Sequence, residues 1–176
     1  MTFDELTIIM DKDLETGFRL LLKMFKEPLY WHARRITVGH EDAQDAVQEA
    51  FVRIYRSYRQ RDRNKSFTAW VYRIVTNEAL RIVGRRKDNV NLNDSGEVFG
   101  RMADQYVDYN QIEAIALQKA ILSLPRKQGL IFNLRYYDEL SFEEIATVVD
   151  STPSAAKAGW HIAKGKIMKQ LEEKLL

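Results

Sequence analysis

The chain has 176 residues, 45% of them hydrophobic and 30% charged, which is enough apolar material for one or two packed domains and excludes global disorder. It contains no cysteine, which excludes disulfides, thiolate zinc sites and cysteine nucleophiles, and no apolar run approaches the roughly 18 residues of a membrane span. The 27 Lys and Arg against 25 Asp and Glu leave a net charge of +2, which as a total excludes nothing.

In chain order the elements read as helices throughout, since Gly and Pro number only 8 and 3 and the apolar spacing is helical. The N-terminal stretch is acidic and does not read as a signal peptide, which together with the missing cysteine fits the cytoplasm. Phe18, Leu21, Leu22, Phe25, Leu29 and Ile36 predict a helical hairpin or a helix kinked at Pro28. Residues 41–58 form an amphipathic helix with Ala43, Val47, Ala50, Phe51, Ile54 and Tyr58 as its apolar stripe. A polar loop over 59–65 leads to a third long helix from Ser66 to about Val83. Residues 88–110 lack periodicity and read as a linker. Helices follow over 112–122 and 126–137. Ser141 and Glu144 make a capping box opening a short helix over 142–149. Thr152-Pro153 then starts a last helix that runs to the C-terminus. The fold class is all-α, with two small helical domains: a bundle over 1–87 and a helix-turn-helix domain over 111–176.

Resolved along the chain, the charge is strongly segregated. Residues 53–87 carry eleven Arg and Lys against Asp62 and Glu78. The stretch 41–50 has four acids and no base, and residues 88–113 have six acids against Arg101. Residues 154–176 have five Lys and two acids. A basic block of that density is the electrostatic footprint of a nucleic-acid partner, with a solvated helix face as the plain alternative.

Three candidate surfaces emerge. Asp42, Asp45 and Glu49, with Gln48 beside them, share one face of the second helix by their spacing of 3 and 4. Asp45 and Glu49 are a like-charge i,i+4 pair costing roughly 0.2–0.5 kcal/mol in an isolated helix. A basic partner offsets that cost; the plain alternative is a solvated face with Glu49 paired to Arg53. Trp70, Arg73, Asn77 and Arg81 share a face of the third helix, preceded by Phe67 and the loop Arg61, Asp62, Arg63, Asn64, Lys65, Ser66. Aromatic rings stack unpaired bases while Arg and Lys track phosphates; for either aromatic alone, core packing is the alternative. In the last helix Lys157, His161 and Lys164 share one face, and Ala156, Trp160, Ala163, Ile167 and Leu171 form its apolar stripe. That layout matches a helix-turn-helix whose second helix enters the major groove.

Residues 42–56 (DAQDAVQEAFVRIYR) and 66–80 (SFTAWVYRIVTNEAL) resemble region two of bacterial extracytoplasmic-function (ECF) sigma factors, and residues 124–149 resemble region four. The resemblance implies a subunit that brings core RNA polymerase to promoters, with no cofactor and no chemistry of its own. It implies docking on the beta-prime clamp coiled coil through Asp42, Asp45, Gln48 and Glu49, and on the beta flap. It implies capture of a flipped minus-ten base from single-stranded promoter DNA by Arg61, Arg63, Asn64, Lys65, Ser66 and Phe67, supported by Trp70, Arg73, Asn77 and Arg81. Duplex DNA of the minus-thirty-five element would meet Ser154, Ala155, Lys157, Ala158, His161 and Lys164. An anti-sigma factor is a further implied partner, and the free protein is expected to be a monomer without membrane insertion.

The last helix departs from the family pattern, with Ala155, Ala158, Gly159 and Ile162 where Thr, Ser and two Arg are usual. The loop over 59–65 is more basic than is common, which shifts binding energy toward the minus-ten end. Two other readings fit the sequence less well. A helix-turn-helix regulator acting without polymerase leaves the acidic face and the basic-aromatic block unexplained. An enzyme lacks support, because His32, His40 and His161 have no metal-ligand spacing and no phosphate loop or nucleophile-base set occurs. A carboxylate metal site at Asp42, Asp45 and Glu49 would have poor closure from one helix face.

Overall fold

The computed structural model describes residues 1–89 and 112–175, with side chains over 1–86 and 113–173. The linker expected over 88–110 lies almost wholly outside the described residues. The chain divides into two compact units, Met1–Val83 and Gly84–Leu176. Every regular element among the described residues is helical: α1 Phe3–Lys12, α2 Leu14–Thr37, α3 His40–Ser57, α4 Phe67–Asn89, α5 Ile112–Leu122, α6 Arg126–Tyr136, α7 Phe142–Val149 and α8 Pro153–Leu175. A 3-10 turn, Tyr58–Gln60, follows α3.

In the first unit, α1 is a helix that was not among the expected elements. It opens on a complete capping box. The Thr2 hydroxyl accepts from the Glu5 N–H at 3.2 Å, and the Glu5 carboxylate accepts from the Thr2 N–H at 2.7 Å. Those bonds hold the Glu5 carboxyl below its ordinary value. Asp13 then caps α2 by accepting from the Thr16 N–H.

α2 is one continuous helix that contains Pro28, so of the two expected arrangements the hairpin is excluded. Pro28 is exposed, so its ring projects away from the packed side and water can serve the freed carbonyl one turn back. α2 packs against both α1 and α3. The core gathers Leu6 and Met10 of α1, Leu21 and Leu29 of α2, and the inward row of α3 led by Val47 and Ile54. α4 joins through Val71, Tyr72 and Val75. A polar link runs through this core: buried His32 of α2 sits 2.8 Å from the Thr76 hydroxyl of α4, with its ring edge-on to Tyr72.

The α1–α2 crossing depends on Gly17. A Cβ there would lie 2.7 and 2.8 Å from the Cα and N of Met10, backbone atoms that cannot rotate away. Gly17→Ala is therefore expected to destabilise the first unit by about 2 kcal/mol through overpacking, which lowers its thermal midpoint by about 10 °C. An unchanged melting curve would contradict this packing.

In the second unit, α8 is the spine against which α5, α6 and α7 pack. Ala156, Ala163 and Ile167 of α8 are buried, with Trp160 and Leu171 packed against the same cluster, the stripe that the spacing predicts. Phe132 of α6 stacks on Trp160 at 5.1 Å and on Tyr136 at 5.2 Å.

Candidate functional site

The acidic face stands on α3, whose apolar row fixes which side chains turn outward. Asp45, Gln48 and Glu49 are exposed. Asp42 is not: it is 7% exposed and sits in the first turn, its Oδ2 3.8 Å from where a Gly39 Cβ would be. The expected set of four surface residues is thus three. Spacing by 3 and 4 places Asp42 at the edge of the face, and at a helix start that edge folds inward, where the dipole favours an acid. Arg53, the alternative partner of Glu49, turns instead to Glu78 of α4.

The spacing of acids did not reveal that the same outer surface carries apolar residues. Val52 and Tyr55 are 42% and 43% exposed, and Tyr55 meets the Phe18 ring edge-on at 5.0 Å. With Gln48 they line a groove of roughly 1100 Å³ between α2 and α3, rimmed on the α2 side by Lys23 and Lys26. The signal was in the sequence: Gln48, Val52 and Tyr55 form a second row beside the inward one.

The basic loop follows the 3-10 turn and is tightly organised. The Arg61 guanidinium lies 4.0 Å over the Tyr58 ring, and its Nη1 donates to the Tyr58 carbonyl at 3.0 Å. Asp62 accepts from the Asn64 N–H at 3.0 Å, a local turn that explains this acid among bases. Asn64, Lys65 and Ser66 are exposed. The Ser66 hydroxyl also accepts from the Ala69 N–H at 3.2 Å and so starts α4.

Arg63 makes two bonds to Asp11 of α1, at 2.9 and 3.0 Å. The Tyr58 hydroxyl donates to the same carboxylate at 2.8 Å. The hydrogen bond from Arg63 holds the Asp11 carboxyl below its ordinary value, and the Tyr58 bond adds to this. Burial, then the bond to Asp11, pushes the Tyr58 hydroxyl up to about 12. Asp11 and Arg63 therefore stay ionised throughout the neutral range, while the Tyr58 hydroxyl keeps its proton.

Phe67 is buried, where an exposed ring was expected. It is 4% exposed, with Phe3, Tyr58 and Trp70 around its ring, and offers no face to a base. α1 supplies Phe3, which is why spacing within α4 could not reveal this burial. Trp70 is partly exposed and stacks on Phe67 at 5.7 Å. Arg73 is partly exposed, and Asn77 and Arg81 are exposed. The Arg81 Nη2 lies 2.5 Å from Glu78, so this cation is shared with a buried carboxylate whose side chain is 5% exposed. Glu78 thus joins α4 to α3 through Arg53 and also holds Arg81 of its own helix, keeping two basic side chains at the surface above it.

In the second unit the capping box at Ser141 is complete, with Glu144 N–H to Ser141 Oγ at 3.1 Å and Ser141 N–H to Glu144 at 3.2 Å. Asp150 ends α7 in the left-handed region with φ 58°. The Thr152 hydroxyl then accepts from the Ala155 N–H at 3.2 Å and opens α8. Ser154, Ala155, Lys157, Ala158, His161 and Lys164 are all exposed. Gly159 fits close against α6, since a Cβ there would lie 2.9 Å from Ile131 Cδ1. Ile162 is 51% exposed. Among the described residues, no group of three or more His, Asp or Glu is placed to hold a metal ion, and no helix is long and apolar enough to cross a membrane.

A chain whose described residues form only helices, with one helix-turn-helix unit and another unit bearing an acidic and a basic surface, has the layout of a sigma-70-type transcription factor. Residues 21–88 match Sigma-70 region 2 and residues 114–159 match Sigma-70, region 4. The chain is 30% identical over 152 residues to the ECF RNA polymerase sigma-E factor of Escherichia coli K12, covering 80% of this chain and 79% of that one. It is 28% identical over 172 residues to the ECF sigma factor SigW of Bacillus subtilis, covering 90% and 91%. Its fold is similar to CnrH in complex with the cytosolic domain of CnrY (TM-score 0.69, 19% identity, 96% of each chain). It is also similar to the sigma factor RpoE in complex with the anti-sigma factor NepR from Bartonella quintana (TM-score 0.69, 18% identity, 88% of this chain and 96% of that one). The chain belongs to the ECF family of RNA polymerase sigma factors, alternative sigma factors that bind core polymerase and direct transcription initiation.

Proposed function

We propose that this sigma factor docks on core polymerase through Asp45, Gln48 and Glu49 of α3, reads the melted minus-ten strand with the loop at 61–66 and the outer face of α4, and reads duplex minus-thirty-five DNA with α8. The observation that carries the reading is the opposition of charge within the first unit. An exposed acidic pair stands on α3, while Lys65, Arg73 and Arg81 present cations on the loop and α4. One polyanionic partner cannot satisfy both surfaces, so the arrangement suits two partners of opposite charge. The beta-prime clamp coiled coil and single-stranded DNA are that pair.

Within the basic surface, Trp70 offers a ring for base stacking, with Phe67 as the floor beneath it. Asn64, Ser66 and Asn77 supply hydrogen-bonding groups for a base edge. Extruding a base costs a few kcal/mol of unstacking, which such a pocket offsets. On α8, Ser154, Ala155, Lys157, Ala158, His161 and Lys164 form the proposed groove-facing row. The protein performs no chemistry of its own and works in the cytoplasm. The beta flap and an anti-sigma protein are further proposed partners, the latter suggested by the RpoE relative seen with NepR.

The deciding experiment is transcription in vitro with core polymerase on a library of genomic fragments, followed by mapping of start sites. The expected result is a set of transcripts whose promoters share two sequence elements. If the protein neither retains core polymerase nor changes its start sites, the reading is wrong.

A further inference from the structure

Arg63 lies on the proposed reading loop, yet its guanidinium is bound end-on by a carboxylate 52 positions away. Asp11 Oδ2 accepts from Nη1 at 2.9 Å and Oδ1 from Nη2 at 3.0 Å. Oδ1 also accepts from the Tyr58 hydroxyl at 2.8 Å. One carboxylate therefore ties both the turn that enters the loop and a cation within it to α1. Arg61 closes the same corner by lying over the Tyr58 ring. The helix that supplies Asp11, Phe3–Lys12, lies before the residues that match region 2, which begin at 21.

We propose that Asp11 is a positioning residue for the reading of single-stranded DNA: it fixes the loop and aims the unused edge of Arg63 at the bound strand. A guanidinium has five N–H donors in a rigid fork. An end-on carboxylate occupies two of them and orients the plane, leaving Nε–H and the outer η hydrogens directed away from α1. The arrangement has a second effect with the opposite sign. Asp11 places a negative charge beside the basic loop, which weakens attraction to any polyanion irrespective of sequence. Asp11 thus trades general affinity for discrimination. This inference rests on the reading of the loop given above.

The test uses the full chain in complex with core polymerase. The probes are a single-stranded oligonucleotide carrying the minus-ten sequence mapped by the transcription experiment and a scrambled strand of equal length. Asp11→Ala is expected to lower the preference for the mapped strand at least ten-fold, while affinity for the scrambled strand stays the same or rises. Asp11→Asn keeps an acceptor for Tyr58 and the side-chain shape but loses the charge, and is expected to fall between the two. A merely structural role would lower thermal stability and weaken both strands together, leaving the ratio unmoved. If wild type discriminates and Asp11→Ala discriminates equally, the positioning role is overturned while the loop reading stands. If wild type itself does not discriminate, the loop reading fails and takes this role with it.

Discussion

Asp45→Lys combined with Glu49→Lys is expected to abolish capture of core polymerase, with affinity falling at least a hundred-fold. Both side chains are exposed on α3 and stand at i,i+4. The change turns two attractive charges into two repulsive ones against a basic partner, and like-charge juxtaposition costs several kcal/mol; about 3 kcal/mol already corresponds to more than a hundred-fold. The fold provides its own control. The wild-type pair repels within the helix and so does the Lys pair, so the melting curve should move by no more than about 0.5 kcal/mol. Co-purification with core polymerase reads the outcome. Retention of core by the double variant would sink the docking assignment.

Trp70→Ala is expected to weaken binding of single-stranded promoter DNA by about 1–3 kcal/mol, the range for losing one stacking platform, or roughly 5- to 150-fold. Salt supplies an independent measure. Each neutralised phosphate on a single strand contributes about −0.7 to the slope of log affinity against log salt. With about four contacts, raising salt from 50 to 200 mM lowers affinity roughly fifty-fold. Removing Lys65 and Arg73 together should flatten that slope by about 1.4. Binding that ignores salt, or is unchanged in Trp70→Ala, would remove the basic surface from the mechanism. Trp70 is only partly exposed, so the variant's melting curve must accompany the binding data.

The second unit was legible almost to its details. Its helices are punctuated by Pro125, the capping box at Ser141 and Thr152-Pro153, each of which stops or starts a helix for a local reason. The row Ala156, Ala163, Ile167 then fixes which side of α8 faces outward. The first unit was legible in α3 and α4, and less so where distant chain segments meet. α1 is missing from the expected elements although Thr2 and Glu5 carry the capping signature and Phe3, Leu6 and Met10 fall at helical spacing; the acidic stretch was read for its charge alone. With α1 unseen, neither Phe3 against Phe67 nor Asp11 against Arg63 could be anticipated. Pro28 does not end α2, because a proline on the exposed side of a long helix leaves the freed carbonyl within reach of water. Asp42 shows the limit of spacing itself: helical periodicity assigns a face but not its edges, and edge residues take their burial from the neighbouring element.

The tie from Asp11 to Tyr58 and Arg63 bears on how this protein can be re-engineered. A loop that ran from one helix to the next and touched nothing else would be a portable cassette, exchangeable between relatives to change promoter preference. Here the loop is anchored to a helix that precedes it by more than forty residues. A graft of residues 59–66 taken alone from a relative would leave Asp11 facing whatever side chain replaces Arg63. The smallest transferable part is the loop together with α1, two pieces distant in sequence that would have to move as one.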